Sequence, residues 1–111
     1  MPDSIARYYV LVREDLPIYM QIIQVAHACV TAGAKFGCPD YHHLILLGVP
    51  DESGLYRASE AMDSTGIRHV LFEEPDIVDA DEGGRTAICT EPIVDVLTRK
   101  MFREFRMWGK F

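Results

Sequence analysis

The chain has 111 residues, 49% of them hydrophobic and 25% charged, and a formal net charge of −6. That length supports one core and not two, and the balance is that of a globular domain. The acidic excess argues against a polyanion as the main partner, and no apolar run approaches the ~20 residues of a membrane-spanning helix.

Residues 1–6 read as a loose lead-in, and Met1-Pro2-Asp3-Ser4 lacks the basic and apolar regions of a secretory signal. Tyr8-Tyr9-Val10-Leu11-Val12 is β-branched and aromatic, so a strand is expected over about Arg7 to Arg13. A short turn, Glu14-Asp15-Leu16, leads to Pro17, which suits the first turn of a helix. Asp15 is placed to cap it. The helix is expected over about Pro17 to Ala34, with a stop at Gly33 or Gly37. At 100° per residue, Met20, Gln24, His27 and Thr31 share one stripe, and Ile18, Ile22, Ile23, Val25, Ala26, Cys29 and Val30 occupy the other faces. The pattern reads as a buried helix that shows one narrow semi-polar line.

A loop follows over 35–40. Tyr41 to Val49 is then nearly continuous apolar sequence, the pattern of a strand covered on both faces. Pro50-Asp51-Glu52-Ser53 starts a second helix with acid at its positive end, and Leu55, Ala58, Ala61 and Met62 keep helical spacing up to a stop at Gly66. Ile67 to Phe72 is a third strand, Glu73 to Gly84 an acidic loop, and Thr86 to Thr90 a fourth strand stopped by Pro92. Val94, Leu97, Met101, Phe105 and Trp108 recur at i, i+3, i+7, i+11 and i+14, which predicts a closing amphipathic helix. Its basic residues lie on the other sides. From Arg99 to Phe111, five basic residues against one acidic give +4, and residues 1–98 carry six basic against sixteen acidic, or −10. The segment Arg99–Lys110 is thus the one basic surface available to a partner, with Phe102, Phe105 and Trp108 as candidate stacking rings beside the simpler reading of core aromatics.

The order β-α-β-α-β-β-α predicts an α/β fold, a small mixed four-stranded sheet between helices in three layers, as a single domain over 1–111. Cys29, Cys38 and Cys89 are odd in number and lack Cys-x-x-Cys spacing, which suits reduced thiols and a cytoplasmic setting. Cys38-x3-His42-His43 does not have zinc-site spacing, because adjacent strand residues point to opposite faces. Asp79-Ala80-Asp81-Glu82-Gly83 lacks the ligand order of a calcium loop. No metal or other cofactor is expected.

Several stretches together resemble the type 2 peptidyl-tRNA hydrolases. They are Val12-Arg13-Glu14-Asp15-Leu16, then Gln24-Val25-Ala26-His27-Ala28, then Gly48-Val49-Pro50-Asp51-Glu52, Thr65-Gly66-Ile67, Thr86 to Pro92, and Phe105-Arg106-Met107-Trp108. The resemblance covers most of the chain and implies the family's fold, single domain and cofactor-free cleavage of the ester between peptide and tRNA. The family's activity is associated with a Lys at the helix start, the helix His, and an Asp and a Thr in an Asp-x-Gly-x-Thr loop after the third strand. A cation can stabilise an oxyanion, and an acid/base pair can activate water.

Carried onto this sequence, the lysine position falls on Met20, which brings neither charge nor a donor. His27 is retained. Two alignments of the acidic loop remain open. In one, Glu74 takes the Asp place, with Asp76 close behind, and Val78 the Thr place. In the other, Glu82 and Thr86 supply acid and hydroxyl. Arg13, Gln24 and Met20 would then contact or orient substrate. Two classes of function follow. The chain is a hydrolase-like protein, with family hydrolysis impaired or lost, or still active on peptidyl-tRNA or another small ester or amide. Alternatively it is a non-catalytic interaction or dimerisation module on the same fold. The partners in view are tRNA, disfavoured by the net charge, a protein docked on the basic C-terminal segment, and a second copy of the chain, with no membrane.

Overall fold

The structure, a computed structural model, describes residues 5–74 and 84–109. Its centre is β1 (Ala6–Arg13), whose side chains alternate between two covered faces. Tyr8, Val10 and Val12 pack on one side and Tyr9 and Leu11 on the other, all buried. The remaining elements are α1 (Ile18–Phe36), β2 (His42–Val49), α2 (Glu52–Thr65), β3 (His69–Glu73), β4 (Arg85–Thr90), α3 (Val96–Arg99), a 3-10 helix (Lys100–Glu104) and β5 (Arg106–Met107). The sheet order is β3-β4-β1-β2-β5. β1 and β2 are parallel, with Tyr8 opposite Leu44 and Arg13 opposite Val49, as expected of a strand-helix-strand crossover. The other three pairings are antiparallel.

The helices cover opposite faces. Ala28 and Ala32 of α1 join Val10, Val12, Ala87 and Cys89. Leu55, Ala58 and Met62 of α2 join Leu11, Leu47 and Ile88. The mixed α/β architecture is as expected, but the sheet has five strands and not four.

The fifth strand comes from the segment expected to be one long helix. Asp95 caps only four helical residues, its carboxylate accepting from the Leu97 and Thr98 amides at 3.2 and 3.3 Å. The chain tightens to a 3-10 helix, becomes extended at Phe105 and pairs with the open edge of β2. Tertiary contacts override the helical spacing here. Phe102, absent from the expected apolar stripe, is buried and stacks on Tyr9 with ring centroids 3.9 Å apart, whereas Leu97 is 71% exposed. Two hydrogen bonds fix the end: Trp108 N donates to Leu46 O at 3.1 Å, and Trp108 Nε1 to Gln21 Oε1 at 2.7 Å. Arg99–Lys110 is therefore not a basic helix. Its described part is three short pieces, and Phe102 is not available to stack on a base.

α1 also departs from the expectation. Pro17 begins it, but Asp15 does not cap it, because that carboxylate is held by Arg13. The helix runs through Gly33 and stops at Gly37. Its buried line is Gln21, Gln24, Ala28 and Ala32, and the apolar Ile18, Tyr19, Ile22 and Val30 are exposed. Alanines let the helix lie close on the sheet, and both glutamines have hydrogen-bond partners there, so the polar stripe goes inward. β2 is buried only from Leu47 to Val49, and Leu44 and Tyr41 are exposed, so the expected cover on both faces holds for one half.

Candidate functional site

β1, β2 and β3 run in the same direction, and their carboxyl ends meet the amino ends of α1 and α2 along one edge of the sheet. Open α/β sheets commonly place ligand sites there. A polar cluster occupies the α1 side of this edge. Thr86 donates from Oγ1 to Gln24 Oε1 at 2.8 Å, and Gln24 Nε2 donates to Glu74 Oε2 at 3.3 Å. Gln24 and Thr86 are 1% and 0% exposed, and Glu74 sits half-buried at the rim.

A bulge makes this meeting possible. Phe72 is opposite Ala87, and the next residue, Glu73, is opposite Arg85, so Thr86 is the extra residue on β4. Strict alternation would send Thr86 away from Ala87, towards α2. The bulge re-aims its hydroxyl at α1, a known use of such irregularities beside functional sites. Gly84 closes the base of the hairpin: its carbonyl accepts from Glu74 N at 2.6 Å, and a Cβ there would collide with the Glu74 carbonyl.

Arg13 braces the cluster from beneath. It is 9% exposed, holds Asp15 through two hydrogen bonds at 2.7 and 2.8 Å, and donates to Arg85 O at 3.2 Å. Glu52, 3% exposed, accepts from Arg85 N at 3.1 Å and lies 4.0 Å from Arg13 Nη1. A buried carboxylate and guanidinium thus compensate one another while tying β1, β4 and α2 together. Gln21, one turn before Gln24, holds the entry turn through Glu14 O and Leu16 O at 3.3 and 2.7 Å. Glu14 in turn pairs with Arg106 of β5.

The expected site residues divide accordingly. Gln24, Glu74 and Thr86 are brought together, Glu74 and Thr86 coming from different alignments of the loop and meeting on the same glutamine. Met20 is half-buried one turn before Gln24. His27 is exposed one turn after it, its ring stacked on Phe72 at 5.1 Å and nearly coplanar, and among the described residues it has no hydrogen bond to a carboxylate. Arg13 is a brace inside the fold. Asp76 and Glu82 lie outside the described residues.

Glu52, Arg85 and Gln21 were not anticipated, and Trp108, expected as a core or stacking ring, instead donates to Gln21. Gln21 had a signal, since it sits three residues before Gln24 on the same helical face. Glu52 had only its place in a first helical turn.

Further along the α1–β4 contact, the neighbouring thiols of Cys29 and Cys89 influence one another: the pKa of Cys29 is lowered by Cys89, and that of Cys89 is raised by Cys29 and by burial. Cys89 Sγ donates to Thr90 O at 3.7 Å. His42 Nδ1 lies 2.9 Å from Pro39 O and 3.8 Å from Cys38 Sγ, and its ring meets the edge of Tyr8, whereas His43 faces Tyr41. Among the described residues no three His, Cys, Asp or Glu side chains are grouped as metal ligands. Nor is any described helix long and apolar enough to cross a membrane.

Chemically, the cluster can hold the Glu74 carboxylate in one orientation at an exposed rim. Neither buried member can itself reach a substrate.

No family model and no curated protein matches this chain. Its fold is similar to that of a solved protein of unknown function, Atu0240 from Agrobacterium tumefaciens strain C58, with a TM-score of 0.66 at 10% identity. The match covers 94% of this chain and 98% of that one.

Proposed function

We propose that this chain is a type 2 peptidyl-tRNA hydrolase-like protein in which the family's hydrolysis of the peptidyl-tRNA ester is impaired or lost. The observation that carries the reading is the pairing of an oriented carboxylate with a missing cation. Glu74, the acid of one alignment, is held by Gln24, and Gln24 by Thr86, the hydroxyl of the other. On the same helix Met20 stands where the resemblance puts lysine. Arg13 does not replace it, because its guanidinium is engaged by Asp15 and the Arg85 carbonyl beneath the rim. Loss of one oxyanion-stabilising donor costs roughly 10²–10³ in rate.

Cleavage of an N-blocked aminoacyl-tRNA by wild type, Met20→Lys and His27→Ala tests this. An inert or very slow wild type with activity gained in Met20→Lys supports the proposal. Wild-type turnover that His27→Ala abolishes refutes the loss of function and leaves a divergent active hydrolase. No cleavage by any of them removes the hydrolase reading.

A specific observation favours the second reading, a dimerisation module. No charged side chain occurs from Leu16 to Ala34, and Ile18, Tyr19, Ile22, Ile23 and Val30 are 44 to 73% exposed along the outer face of α1. At ~100 Å² each these side chains offer roughly 500 Å² per copy, so a symmetric pair would bury about 1,000 Å², the lower bound of a specific interface. A charge-free face also brings two copies of an acidic chain together without like charges at the contact. Sedimentation equilibrium of wild type beside Ile22→Glu is the measurement. A dimer that the variant dissociates supports this reading, and a monomer at high micromolar concentration refutes it.

A further inference from the structure

On the other side of the sheet from the Gln24 cluster lies a cleft of about 490 Å³, within the range of small-molecule sites. Its apolar floor includes Tyr9, Ile45, Leu47 and Phe102, and three arginines, Arg7, Arg99 and Arg103, line it with no carboxylate among its lining residues. In a chain of net charge −6 this concentration of cations is out of proportion.

Arg7, Arg99 and Arg103, like Arg57, are in no ion pair among the described residues, whereas Arg13, Arg68, Arg85 and Arg106 are. The Asp95 carboxyl, its pKa lowered chiefly by its hydrogen bond with Thr98, also feels the charge of Arg99. Arg99 donates from Nη2 to Ile5 O at 2.7 Å, and its buried Nε has no partner among the described residues. A buried donor left unpaired costs about 1–3 kcal/mol, so its retention asks for a reason. Guanidinium groups suit planar or tetrahedral oxyanions, because their N–H groups form a rigid fork.

We infer that this cleft is a binding site for a small amphipathic organic anion. A carboxylate or phosphate head would lie between the guanidinium groups of Arg7, Arg99 and Arg103, and an apolar body on Ile45, Val96, Phe105 and Met107. The anion supplies the ion pair that Arg7 and Arg103 lack, and the body covers the exposed Val96 and Met107 at the cleft. The site owes nothing to the hydrolase-like reading, which concerns the α1 face.

Amide shift mapping of the full chain with octanoate, octyl phosphate and octanol tests the inference. Either anion is expected to shift the amides of Tyr9, Leu47, Phe102 and Met107 and to bind at least tenfold more tightly than octanol. The tighter of the two heads identifies the source class. The double substitution Arg7→Gln with Arg103→Gln should weaken the anion at least tenfold and leave octanol unchanged. Arg99 is kept because it also holds the Ile5 carbonyl. Equal binding of octanol, shifts confined to α1, no binding by either anion, or full affinity in the folded double variant would each overturn it.

Discussion

Replacing Thr86 with valine keeps the shape of the side chain and removes one hydroxyl. In the folded protein that hydroxyl is fully buried and donates to Gln24 Oε1 at 2.8 Å. Gln24, 1% exposed, cannot turn to water for a new donor. The cost is therefore the desolvation of a stranded acceptor, about 1–3 kcal/mol, more than the ~1 kcal/mol net worth of an average hydrogen bond. Each 1.4 kcal/mol is a tenfold change in the unfolding equilibrium, and for a domain of this size 1 kcal/mol lowers Tm by roughly 4–8 °C. Urea unfolding followed by tryptophan fluorescence measures it, and an unchanged slope would show that only stability has moved. The companion variants are Gln24→Leu and Gln24→Leu with Thr86→Val. Removing both partners of a buried bond costs less than stranding one, so the double variant should be less destabilised than the two single losses added, by about 1 kcal/mol or more. Strict additivity, or a Thr86→Val loss below about 0.5 kcal/mol, would refute the bulge as the device that seats this hydroxyl on α1.

Phe102→Ala should cost about 3–5 kcal/mol, because a ring stacked on Tyr9 leaves a cavity on removal; a loss under about 1 kcal/mol in chemical denaturation would show that Phe102 does not anchor the C-terminal segment. Asp51→Ala should cost about 1 kcal/mol, since Asp51 accepts from Gly54 N at 2.9 Å as the cap of α2; an unchanged urea midpoint would argue against that cap. Tyr8 donates to Gly37 O at 2.6 Å, and burial, aided by the neighbouring Cys38 thiol, pushes its pKa up from 10.0 to about 12. Its share of stability is complete below pH ~10. It falls by about 1.4 kcal/mol per pH unit as the unfolded chain ionises first, and is lost by pH ~12. Stability measured from pH 8 to 11.5 should show this decline in wild type and a shallower one in Tyr8→Phe; identical slopes would contradict the assignment.

Much of the fold was legible because its signals are local. The β-branched run of β1, the Pro50-Asp51 helix start and the Gly66 stop each act on neighbouring residues. The candidate site was legible in part. Gln24, Glu74 and Thr86 could be named, but their meeting could not, because it depends on one extra residue in β4. The two alignments of the acidic loop looked exclusive along the chain. Around a hairpin Glu74 and Thr86 come from its two arms, and both reach Gln24.

The errors fall where tertiary contact outweighed periodicity. The spacing of Val94, Leu97, Met101, Phe105 and Trp108 is helical, and the segment still ends as β5. Phe102 had a ring to stack on, and β2 had an open edge to pair. The apolar majority of α1 pointed to a buried helix with its glutamines outward. In the protein Gln21 finds Trp108 and two carbonyls, and Gln24 finds Thr86 and Glu74. A polar side chain with partners can be buried at little cost, and alanine lets a helix sit closer to a sheet than isoleucine does.

By itself the amino-acid sequence determined the two main helices, four strands, their order and the absence of a lysine before Lys35, because those depend on residue identity and on neighbours in the chain. The tertiary structure decided which face of α1 is buried, where the C-terminal segment goes, how Thr86 meets Gln24, and that three arginines share one cleft. Each of these requires residues distant in sequence to compete for the same partner, and that competition is settled only when the sheet is assembled.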